Sequence, residues 1–202
     1  MSKQLPVSVY AESTPNPNSM KFVFNLYINT VGPVEFTSFK EAQASPLAIQ
    51  LFEFPFVTGV FIAANYITVS KGAFVDWEEV MLELRDFLRN YVASGGKVLN
   101  EDIDYTEQQK QKQALQQEIA QKIPETELEQ QIVAILDEYV RPAVEGDGGN
   151  IVFQSFENGR VNVVLQGACS GCPSSTITLK AGIETLLKRM VPQVEEVVAV
   201  AG

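Results

Sequence analysis

The sequence predicts an α+β protein: two small α+β domains joined by a glutamine-rich linker. Three observations carry that expectation. Short apolar alternations and helical apolar stripes occur together in the first hundred residues. Composition shifts at Thr106, where glutamine and charge take over. A second set of elements then starts at Thr126, in the order α-β-β-α-β. Residues 1–105 are thus expected as one domain, 106–125 as the linker and 126–202 as the second domain.

In the first domain, residues 7–11 alternate weakly, as a short strand would. Thr14-Pro15-Asn16-Pro17-Asn18-Ser19 follows, a rigid turn in which prolines push Thr14 and Asn16 toward extended geometry. Residues 20–27 and 34–39 read as strands. Ser45-Pro46 supplies an N-cap and a first helical residue, with Leu47, Leu51 and Phe52 on one face. Residues 57–62 and 66–69 are two more strands, joined tightly at Ala64-Asn65. Asp76 and Glu79 have capping-box spacing. Behind them Trp77, Val80, Met81, Leu84, Phe87, Leu88, Tyr91 and Val92 form an apolar stripe that ends at Gly95-Gly96.

Residues 107–122 have too thin an apolar stripe to demand a partner, which makes them a solvated helix or a connector. The second domain opens with Thr126 as N-cap and Glu129 three residues on. Leu128, Ile132, Ile135, Leu136 and Tyr139 line this helix, which is expected to stop near Arg141-Pro142. Glu145-Gly146-Asp147-Gly148-Gly149 reads as a sharp acidic turn, where Asp147 serves the turn or tunes a site. Residues 151–156 and 160–166 form a hairpin about Asn158-Gly159. A helix over 173–191, with Ile177, Ile183, Leu186, Leu187 and Met190 on its apolar side, and a strand over 194–200 complete the chain.

Composition removes several functions. The chain has no histidine, which excludes histidine-based triads and imidazole metal ligands together. A formal net charge of -10 opposes nucleic-acid binding. No apolar run approaches a membrane span. Two cysteines at C-x-x-C spacing are not a secreted disulfide framework, and residues 1–6 resemble neither a signal nor a transit peptide. The expected setting is a reduced cytosolic one.

Those cysteines, Cys169 and Cys172, lie in Gly167-Ala168-Cys169-Ser170-Gly171-Cys172-Pro173-Ser174-Ser175, between a strand and a helix. Pro173 fits the first helical position, which makes Cys172 the N-cap. The helix dipole then tilts both thiols toward thiolate. Gly167 and Gly171 let backbone approach the sulfurs, and Ser170, Ser174 and Ser175 are placed to donate to them. Lys180, two turns into the helix, is too far away to pair with a thiolate. Three uses compete: thiol–disulfide exchange, structural zinc, and an iron–sulfur cluster. Either metal use needs ligands beyond the two that one chain supplies.

The stretch from Gly167 to Lys180, Gly-Ala-Cys-Ser-Gly-Cys-Pro-Ser-Ser-Thr-Ile-Thr-Leu-Lys, closely resembles the cysteine motif of the NifU C-terminal domain, found in Nfu-type iron–sulfur cluster proteins. Arg141-Pro142 and Asp147-Gly148-Gly149-Asn150-Ile151 are similar to that family's segment ahead of the hairpin. The turn at Thr14-Pro15-Asn16-Pro17-Asn18, Ser45-Pro46-Leu47-Ala48, and Tyr66-Ile67-Thr68-Val69-Ser70-Lys71 resemble the Nfu N-terminal domain. The resemblance implies a carrier, not an enzyme. It implies a [4Fe-4S] cluster bridging two subunits on Cys169 and Cys172, delivered to apo iron–sulfur proteins after exchange with upstream assembly factors. The first domain offers no ligand set, so its expected role is to bind partners.

Overall fold

The computed structural model describes residues 6–30, 32–100, 126–170 and 173–201. The stretch expected as a linker, 106–125, lies outside the described residues. The chain divides into two units, Met1–Ile103 and Asp104–Gly202.

Among the described residues, the first unit is a five-stranded antiparallel sheet with two α-helices and a short 3-10 helix (Glu41–Ala44). Its strands are β1 (Val9–Ser13), β2 (Ser19–Phe24), β3 (Val34–Phe36), β4 (Val57–Ile62) and β5 (Tyr66–Lys71), in the spatial order β1-β2-β5-β4-β3. Register places apolar residues in rows across the strands. Phe22 faces Ile67, which faces Ile62, which faces Val34. Met20, Val69, Val60 and Phe36 form the next row. Helices α1 (Pro46–Phe52) and α2 (Trp77–Ala93) bring Leu47, Leu51, Leu84 and Leu88 to the core, all fully buried. A smaller cluster, Val23, Phe61, Ala63 and Tyr66, is also buried.

Local chemistry places these elements. The Ser45 hydroxyl accepts the Ala48 N–H at 2.9 Å, capping α1 as expected, and donates to the Val98 carbonyl at 2.6 Å. Asp76 stands at the N-cap of α2 without a side-chain capping bond, so the expected capping box is absent there. The turn between β1 and β2 satisfies itself. Thr14 Oγ1 donates to the Asn16 carbonyl at 2.9 Å, and Asn16 Oδ1 accepts the Asn18 N–H at 3.0 Å. Trp77, expected in the stripe, is only partly buried and donates its indole N–H to the Pro17 carbonyl at 3.0 Å.

The second unit is a three-stranded sheet, β6 (Gly149–Glu157), β7 (Arg160–Gly167) and β8 (Glu196–Ala201), in that order. β6 and β7 are antiparallel about Asn158 and Gly159, at φ 51 and 78, and β8 runs parallel to β7. A helix precedes the sheet and another, α5 (Pro173–Met190), connects β7 to β8. The first is capped by the reciprocal Thr126–Glu129 bonds that the spacing predicts. It does not stop at Arg141-Pro142. It runs as α3 (Glu127–Ile135), a π-helical turn (Leu136–Val140) and α4 (Arg141–Gly146). Proline has no N–H to donate and its ring crowds the carbonyl four residues back, and the widened turn accommodates both. The extra residue also rotates the face that follows. Val140 and Val144 therefore enter the core, while Tyr139 is exposed. Ile177, expected on the apolar side of α5, is exposed as well, and Ile183 and Leu187 hold the core contact.

Candidate metal centre

β7 ends on Gly167 at φ 68, a left-handed conformation that glycine takes without strain. Gly167 pairs with Gly149 at the open end of the hairpin. The Ala168 N–H donates to the Gly148 carbonyl at 3.2 Å, so the chain leaves the strand against the turn that opens β6. The Ser170 N–H and hydroxyl both go to the Gly167 carbonyl, at 3.0 and 2.8 Å. Thr176, near the start of α5, donates its hydroxyl to the Cys169 carbonyl at 3.2 Å. The loop is thus tied to β7, to the Gly148 turn and to α5.

Cys169 is 5% exposed and belongs to the apolar core of its unit. Its sulfur is seated on Gly149: a Cβ there would lie 2.8 Å from Sγ and 2.6 Å from the Gln166 carbonyl oxygen. Burial, and after it the negative charge of Asp147, pushes the thiol up to about 11. The expectation of a thiolate is therefore corrected at Cys169. In the metal-free chain the sulfur is held as a thiol by its desolvation first and by the Asp147 charge second. The Ser170 hydroxyl, expected to serve a sulfur, donates to the Gly167 carbonyl. Cys172, its N-cap role, Gly171 and the side chains of Ser174 and Ser175 lie outside the described residues. Lys180, expected to lie too far off to pair with a thiolate, stands partly exposed with its ammonium 3.7 Å from the Glu196 carboxylate.

One polar cluster beside the loop goes beyond the residue-by-residue reading. Arg141 Nη1 donates to Asn150 Oδ1 and to the Ile151 carbonyl, each at 3.0 Å, and Nε donates to Asp137 Oδ1 at 3.0 Å. Asn150, 5% exposed, donates to Gln166 Oε1 at 2.9 Å. The sequence signal was an Arg-Pro pair inside an apolar-periodic stretch, where a proline marks either a helix end or an irregular turn.

These features define a class: a two-unit α+β protein whose distinctive chemistry is a closely spaced pair of thiols where a strand meets a helix. Residues 132–198 match the family model of the NifU-like domain, and residues 9–95 match that of the scaffold protein Nfu/NifU N-terminal domain. The NifU-like protein C1709.19c of Schizosaccharomyces pombe is 36% identical over 95% of this chain and 72% of its own length. The chain belongs to the Nfu family of iron–sulfur cluster scaffold proteins. The mitochondrial NFU1 iron-sulfur cluster scaffold homolog of Drosophila ananassae is 36% identical over 94% of this chain, which spans 63% of that relative's length. The NMR structure of a NifU-like protein from Saccharomyces cerevisiae is 26% identical, covering 50% of this chain and 92% of that one at a TM-score of 0.44.

The cytosolic expectation is corrected by these relatives, since several are named as mitochondrial. It rested on unpaired thiols and on the first few residues. Thiols stay reduced in more than one compartment. The opening residues of a chain spanning 63% of such a relative do not decide its compartment.

Proposed function

We propose that the chain is a carrier of [4Fe-4S] clusters, not an enzyme. Cys169 and Cys172 from each of two copies hold the cluster as cargo, and the chain passes it from upstream assembly factors to apo iron–sulfur proteins. The ligand count carries this reading. Such a cluster takes four thiolates, and the chain has two cysteines and no histidine. Two copies complete the set. The protein's part is to present sulfur at a fixed place, through a loop bonded at Gly148, Gly167 and Thr176.

A thiol–disulfide oxidoreductase built on the same pair is the alternative. Its attacking sulfur has to be exposed and poised as thiolate. Cys169, buried with its thiol pushed up to about 11, is unsuited to be that attacking sulfur, so the use would fall to Cys172. Anaerobic reconstitution with iron and sulfide, followed by native mass measurement, tests the carrier reading. The expected product is one cluster per two chains, and Cys169→Ser or Cys172→Ser should abolish it. A monomer holding a full cluster without added thiols would refute the reading.

A further inference from the structure

We infer that Arg141 is a positioning residue for the Cys169 thiol, clasping the open end of the hairpin on which that sulfur is seated. The functional consequence rests on the carrier reading; the geometry belongs to the apo-protein alone.

The β6–β7 hairpin is closed covalently at Asn158-Gly159, and its other end, at Gly149 and Gly167, is closed by hydrogen bonds such as that from the Ala168 N–H to the Gly148 carbonyl. Terminal ladder pairs are where strands open first. At this end the Gly149 position admits no Cβ, because Cys169 Sγ would stand 2.8 Å and the Gln166 carbonyl oxygen 2.6 Å from it. A shift of β6 against β7 by one ångström therefore moves the seat of the sulfur.

The next pair inward is Asn150 facing Gln166, and these are the residues joined by a side-chain bond at 2.9 Å. Arg141 fixes that bond from the helix side. Two acceptors on β6, Asn150 Oδ1 and the Ile151 carbonyl, share its Nη1, and Asp137 holds Nε. The planar guanidinium can serve both sides at once because its donors form a rigid fork; a lysine ammonium cannot. The π-helical turn Leu136–Val140 immediately precedes Arg141. Without its extra residue the helix would rotate Arg141 by about 100°, away from the strand. The chain Asp137–Arg141–Asn150–Gln166 thus links the first helix to both strands one residue pair from the sulfur.

The test uses full-length apo-protein carrying Cys172→Ser, so that alkylation by iodoacetamide reports Cys169 alone. Arg141→Lys keeps the charge and loses the fork; Asn150→Leu breaks both links. Each should raise the alkylation rate about tenfold through local opening, with no dependence on low urea concentrations. Asn150→Asp keeps an acceptor for Arg141 and lets the Gln166 amide turn to donate, so its rate should stay within about twofold of the parent. In chains with both cysteines, loaded with iron and sulfide, Arg141→Lys should alter the visible circular dichroism of the cluster and Asn150→Asp should not. A parental alkylation rate in both Arg141→Lys and Asn150→Leu overturns the proposal. So does an acceleration that grows with urea in step with global unfolding, which marks a merely structural role. If the parent takes up no cluster, the carrier reading fails, and the alkylation rates still decide the role of Arg141.

Discussion

At Cys169 two influences of opposite sign meet. The nearby start of α5 favours a negative sulfur, and the packed core around the side chain disfavours it. The neighbouring Asp147 adds to the second. With the folded value raised from 9.0 to about 11, the protonated thiol favours the fold below pH 9, and that contribution is lost as pH rises through 11. Alkylation of Cys169 in apo-protein carrying Cys172→Ser should therefore keep rising by about tenfold per pH unit beyond pH 9. The urea-unfolded chain should level off near pH 9. A native profile that also levels off there would mean that the sulfur is solvated. Spacing alone located this residue, because C-x-x-C before proline is a local pattern. Its burial was not legible, since the core cluster it joins draws Ile151, Leu165 and Leu187 from three separate elements.

At the scale of elements, local signals were read well where one stretch of chain decides the outcome. β4 at Val57–Ile62, the Ser45-Pro46 start of α1, the Thr126 capping box and the Asn158-Gly159 turn all stand as expected. The Asp76 capping box is a local signal that did not form; the other errors fall where a distant contact or a backbone irregularity intervenes. Pro142 reads as a stop, yet packing of Val140 and Val144 continues the helix past it. The parallel pairing of β8 with β7 has no local signature either. It depends on α5 crossing between them, and Glu184 on that helix helps to fix it. Its carboxylate accepts Lys188 Nζ at 2.6 Å and the Val197 N–H of β8 at 3.1 Å. The Lys188 bond first, then the Val197 N–H, hold this carboxyl below the ordinary carboxylate value. A lowered value stabilises the fold above the ordinary carboxylate range and is lost as pH falls through the folded value. Melting temperatures measured from pH 6 to pH 3 should thus fall more steeply for the parent than for Glu184→Gln. Parallel curves would show that the carboxylate does not tie α5 to β8.

At the scale of the whole molecule, the chemistry and the larger sheet lie in different units. The first unit buries Phe22, Phe36, Ile67 and Leu84 in its own core, and the second does the same with Ile132, Val163 and Leu187. Each has a buried apolar core of its own, which is the condition for folding independently. Neither cysteine lies in the first unit, whose rigid Thr14–Ser19 turn is explained by its own hydrogen bonds yet still presents a fixed polar surface. A fragment of residues 126–202 should therefore fold and take up the cluster, while a fragment ending at Asn100 should fold and bind no iron. If the first unit docks apo-proteins, the 126–202 fragment should transfer its cluster more slowly than the full chain, by about tenfold or more for targets that the first unit binds. Stopped transfer assays against several apo-proteins, with fragment and full chain loaded to the same iron content, measure this. Equal rates for every target would remove the docking role from the first unit. Iron on the first unit alone would overturn the division of labour, because that unit offers neither thiol nor imidazole to hold it.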